Sequence, residues 1–170
     1  MNYNSFIAFL AITTYIATLI PANLGKVFLQ TKKWQINKLF LKKRRLLGLT
    51  AFSLSCSHCL ISINKYNINL LNWKTYGIYY TGFISFSIFF VLAITSNKWC
   101  MHKLKHKWKM LHQLTYVAMF LLILHIFSLM KENWTWITPV ALQLILSVSF
   151  LFVVRLFITI KKMIAKRVLD

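Results

Sequence analysis

Apolar and polar positions alternate in blocks along this chain, and five long apolar runs stand out, at about 5–25, 46–63, 77–96, 111–130 and 137–158. Each is close to the ~20 residues that an α-helix needs to cross the hydrocarbon core of a bilayer. Helix is the expected state for all five, because lipid offers no partner to an unpaired backbone N–H or C=O. The pattern predicts an all-α, polytopic transmembrane bundle of about five helices, forming a single domain over residues 1–170. Pro21 is expected to kink or end the first helix. Residues 1–6 carry no basic residue for the n-region of a signal peptide. No internal repeat, Pro- or Ser-rich linker or appended soluble domain breaks the series. The longest stretch between runs, 26–45, could form an interfacial amphipathic helix through Val27, Phe28, Trp34, Ile36, Leu39 and Phe40.

Charge gives the bundle a direction. Of the 21 Lys and Arg residues, 18 fall in three segments: 26–45, 97–110 and the tail from Arg155. The alternate loops hold only Lys65, Lys74 and Lys131. The positive-inside rule then places the N-terminus outside and the C-terminus in the cytoplasm. Tryptophan, which favours the headgroup boundary, agrees without using the same residues. Trp34, Trp99 and Trp108 lie at the basic ends of the runs, and Trp73, Trp134 and Trp136 at the opposite ends.

Composition excludes several chemistries. The chain is 58% hydrophobic, more than a soluble domain of 170 residues requires. Its only carboxylate side chains are Glu132 and Asp170, so there is no acid/base pair and no carboxylate-rich calcium or magnesium site. Four glycines form neither a dinucleotide loop nor a P-loop. A pI near 10.2 could suggest nucleic acid. The basic residues are interleaved with apolar runs, however, so no nucleic acid is expected and the partner implied is anionic membrane lipid. Cys56, Cys59 and Cys100 are too few for a disulfide framework, and Cys56 and Cys59 read as small packing residues of a helix. The spans offer mostly isolated Ser and Thr plus Gln143, which is little for a channel or transporter path.

Five histidines remain. His102 and His106 sit among lysines and read as solvated loop residues. His58, His112 and His125 fall within apolar runs, where ionisable groups usually mark function. Counted from Leu46 at ~1.5 Å per residue, His58 lies about 18 Å into its helix. Counted from Leu111, His125 lies about 21 Å into its own. Both helices leave the cytoplasmic face, so the two imidazoles reach nearly one level. That is what bis-axial ligation of a haem b iron requires, and His58 and His125 are the expected metal ligands. His112 sits one turn inside the inner edge, and its ~20 Å rise to His125 would suit a second haem. Two features count against that haem. Arg44 and Arg45, not histidine, stand at the matching depth, and His112 is off the face of His125 unless the helix bends.

Several motifs resemble the ferric reductase-like transmembrane family. Lys43-Arg44-Arg45-Leu46-Leu47-Gly48-Leu49 followed by His58 is similar to the opening of a haem helix there, and Ala93-Ile94-Thr95-Ser96 to the end of the next helix. The stretch from Trp108 through Leu111, His112, Leu114 and Tyr116, with His125 thirteen residues after His112, resembles the following segment. Leu19-Ile20-Pro21 fits loosely. Order and spacing agree over 43–125, and the branch most resembled is the haem-binding membrane subunit of bacterial periplasmic methionine sulfoxide reductase systems.

The resemblance implies a haem b protein with His58, His112 and His125 as cofactor-binding residues, passing electrons outward from a separate flavin reductase or quinol. The acceptor would be an outer-side protein or a ferric chelate. A bacterial inner membrane is implied, with thylakoid and organelle membranes open. Against the sulfoxide-reductase subunit the chain is expected to be shorter at its N-terminus by one helix, and it lacks the flavin and nicotinamide domains of ferric reductases. Bound flavin (FMN) remains open. Gly77 and Gly82 could let the third helix approach a macrocycle, or simply another helix. Lys65 and Lys131 could meet haem propionates or snorkel. The competing expectation is a membrane assembly factor or small structural subunit that has lost the cofactor.

Overall fold

A computed structural model describes residues 3–66, 73–130 and 135–169. Lys131, Glu132, Trp134 and Asp170 lie outside the described residues, as do the side chains of Trp73 and Lys74 and the surroundings of Gly77. The described residues form seven α-helices: α1 Tyr3–Val27, α2 Gln35–Tyr66, α3 Trp73–Ile94, α4 Lys98–Leu104, α5 His106–Leu111, α6 Leu114–Met130 and α7 Ile137–Leu169. A 3-10 turn, Leu29–Lys33, joins α1 to α2. No strand occurs among the described residues.

Among the described residues, four helical segments are long and apolar enough to cross a membrane, and a fifth crossing is counted if α3 and α4, bent by 93° at their junction, are taken as one. The five long helices close into a ring: α1 packs on α2, α2 on α3, α3 on α6, α6 on α7, and α7 back on α1. Tyr15, Ile16 and Leu19 of α1, Ala51 of α2, Met119 and Ile126 of α6 and Ile145 and Val148 of α7 meet at its centre. Outside the ring, large apolar side chains such as Phe150 (68% exposed) face away from the protein. In water such a surface would aggregate, whereas in lipid it is solvated.

Three local expectations change. First, α1 continues six residues beyond Pro21. The helix survives the lost N–H because Pro21 and Asn23 are buried in packing that holds this turn. Second, no separate interfacial helix forms over 26–45. From Gln35 the chain enters α2 directly and runs 32 residues without a break, since Gly48 alone is not enough to stop a helix. Third, 97–110 is not an irregular loop. Asn97 caps α4, its side chain accepting from the Cys100 N–H at 2.7 Å. The turn to α5 is made at Lys105, the one described non-glycine residue with positive φ (45°).

Candidate functional site

Each end of the ring opens into a cavity. One cavity, of about 570 Å³, is lined by α1, α2, α3, α6 and the start of α7. Its wall is mainly apolar, with Ala8, Ile12, Phe83, Phe86, Phe89 and Leu122 among the lining side chains. His58 enters from α2 and His125 from α6, so the structure brings together the two histidines matched by depth. His58 Nδ1 lies 2.8 Å from Asn4 Oδ1 and 3.3 Å from the Asn4 main-chain oxygen. Asn4 Nδ2 donates in turn to Ser62 Oγ at 2.9 Å. His125 Nδ1 is buried and has no hydrogen-bond partner among the described residues. Gly82 on α3 makes room for that ring, since a β-carbon there would lie 2.5 Å from His125 Cε1. Cys56 and Cys59 line this cavity as free thiols.

The basic cavity, of about 510 Å³, lies at the other end. It gathers Lys42, Arg44 and Arg45 of α2, Lys98 of α4, Lys109 of α5 and Arg155 of α7. None of the described residues has a carboxylate side chain, so these cations have no internal counter-ion. His112 belongs to this cavity, apart from His58 and His125. Its ring packs on Trp108 with centroids 4.0 Å apart, and its Nε2 is 3.5 Å from Thr95 Oγ1. Trp108 is no free interfacial indole, because its Nε1–H donates to the Thr95 carbonyl at 3.0 Å and ties α5 to the end of α3. The helix also breaks between His112 and Leu114, so His112 and His125 do not share one continuous helix.

Tyr15 and Phe89 line both cavities and form the wall between them. Their rings meet edge to face, with centroids 4.9 Å apart, and the Tyr15 hydroxyl donates to the Thr115 carbonyl. Arg155 is held above the basic cavity by Asn23 Oδ1 at 2.9 Å and the Tyr116 hydroxyl at 2.6 Å. Sequence reasoning missed Asn4, Tyr15 and Asn23. Tyr15 and Asn23 are polar side chains inside the apolar run of α1, and that isolation was the available signal; Asn4 stands just before the run, among other polar residues, and carried none.

A ring of apolar helices around two cavities, one lined by two imidazoles from different helices, defines an integral multi-pass membrane protein with a cofactor-sized site between its helices. Residues 7–123 match the family described as the ferric reductase like transmembrane component, and the chain belongs to that family. The matched stretch contains His58 and His112 and stops two residues short of His125. The chain is 30% identical over 133 residues to the protein-methionine-sulfoxide reductase heme-binding subunit MsrQ of Yersinia pseudotuberculosis serotype O:1b, covering 75% of this chain and 62% of that protein. Identity to the MsrQ of Yersinia pestis strain Pestoides F is also 30%, over 75% of this chain and 61% of the relative. The chain thus spans about three fifths of the length of the curated relatives it matches. No solved structure gives a significant match.

Proposed function

We propose that this chain is a haem b electron-transfer protein of a bacterial inner membrane, with its N-terminus outside and its basic end in the cytoplasm. The observation that carries the reading is the convergence of His58 and His125, from two different helices, on one apolar cavity. The residues fit the group. Nδ1 of His58 is engaged by Asn4, which leaves Nε2 for iron. The imidazole of His125 has a nitrogen with no protein partner among the described residues, and the ring is seated directly against Gly82, whose missing side chain accommodates it. When bound, haem b would take up and release single electrons. The chain's part would be to hold the group through His58 and His125, surround it with the apolar side chains of Phe83, Phe86 and Leu122, and set its depth in the bilayer.

The basic cavity is the proposed donor side. Six cations without a carboxylate suit an anionic group, such as the phosphate of a flavin presented by a separate reductase. Quinol remains the other candidate donor. A second haem there would find one histidine, His112, and would need its other ligand from a different residue type. The acceptor is proposed to lie at the far end, as a sulfoxide reductase partner or a ferric chelate.

The test is the absorption spectrum of the purified chain. A Soret band with a reducible α band of b type is expected, lost in His58→Ala and His125→Ala and kept in His112→Ala. A protein with no such band after haem is supplied would instead be an assembly or structural subunit.

A further inference from the structure

We propose that Asn4 is the positioning residue of the haem site, fixing the protonation of His58 so that Nε2 alone is bared to the cavity. The proposal rests on the haem reading above and adds a residue that no motif contains.

A neutral imidazole carries one N–H and one bare nitrogen. Nδ1 of His58 faces two oxygens of one residue, the side-chain oxygen of Asn4 at 2.8 Å and its main-chain oxygen at 3.3 Å. A main-chain carbonyl can only accept, so the proton sits on Nδ1 whichever way the amide is turned. The amide itself is held, because Nδ2 donates to Ser62 Oγ at 2.9 Å. Asn4 is 5% exposed, and an amide buried at that depth is costly unless both its ends are used. Here both are. One α1 side chain therefore bridges two positions a turn apart on α2, and its role is to aim and polarise the imidazole between them.

The two imidazoles are consequently unequal. His58 is backed by a hydrogen bond that increases electron donation from Nε2, whereas His125 has no partner at Nδ1 among the described residues. With haem held by these two residues, the stronger donation from His58 would favour ferric over ferrous iron and lower the reduction potential.

The experiment compares the purified full chain with Asn4→Leu, which keeps the volume and removes both amide bonds, and with Ser62→Ala, which removes only the anchor. In Asn4→Leu, haem affinity is expected to fall about 10–100-fold and the potential to rise. Ser62→Ala should move both in the same direction by less, and it carries the test if Asn4→Leu does not fold. Nitrogen-15 NMR of the haem-free protein should show His58 as the single Nδ1–H tautomer, becoming mixed in Asn4→Leu. Folded variants with the wild-type potential and tautomer would overturn the role of Asn4 while leaving the haem reading intact. A wild-type chain without a Soret band would overturn the haem reading, and the proposal's claim on iron with it.

Discussion

Gly82 and Gly48 show how one hydrogen atom can carry different weight at two positions. At Gly82 an added β-carbon would come within 2.7 Å of His125 Nδ1 and 3.0 Å of Nε2, closer than real β-carbon contacts allow, so the ring would have to move. At Gly48 nothing lies within 4 Å. Gly82→Ala is therefore expected to remove most of the Soret absorbance per protein, while Gly48→Ala keeps it and adds up to about 1 kcal/mol of helix stability. Both lie in apolar runs, Gly48 in the second and Gly82 in the third, and the sequence pattern does not distinguish them. Which one faces an imidazole depends on how α3 and α6 are rotated against each other.

The helices are held in register by a few polar contacts, since apolar packing alone does little to orient helices in lipid. Arg155 is the clearest. It reaches from α7 to Asn23 on α1 and Tyr116 on α6, and Tyr116 stacks on Phe152 with centroids 4.0 Å apart. Asn23 is fully buried, and its Nδ2 already lacks a partner among the described residues. Arg155→Met is expected to cost about 1–3 kcal/mol by leaving the Asn23 amide unsatisfied at both ends. A lower midpoint in thermal unfolding of the detergent-solubilised protein would be the readout. The same contacts account for what the hydropathy pattern left open about α1. Pro21 signals a break, yet the turn that follows is pinned by Asn23 and stays helical. The run at 111–130 falls within one membrane-crossing segment, His106–Leu129, with a turn at His112 and Gln113 that marks off α5 from α6 inside it. His125 stands thirteen positions after His112, which gives a spacing but no sign of the turn.

Across the whole molecule, charge is the organising quantity. The net charge is +19, and Arg44, Arg45, Lys98, Lys109 and Arg155 converge on one cavity at one end. If positive-inside holds, a fluorescent protein fused after Asp170 should fold and fluoresce in cells, and an alkaline phosphatase fused at the same point should be inactive. The opposite result would invert the bundle and with it the proposed direction of electron flow. Sequence alone determined the class of this protein: apolar run length and the scarcity of carboxylates dictate a multi-pass helical bundle, and equal depth singles out His58 and His125 as the candidate pair. It could not determine which faces meet. Lipid is as apolar as a protein core, so these helices are apolar all round and carry no stripe to mark their inward side. The ring order, the separate cavity of His112, the wall of Tyr15 and Phe89 and the grip of Asn4 on His58 were decided by tertiary packing. That packing acts through contacts between residues as far apart as Asn4 and His58, or Asn23 and Arg155, which no local pattern encodes.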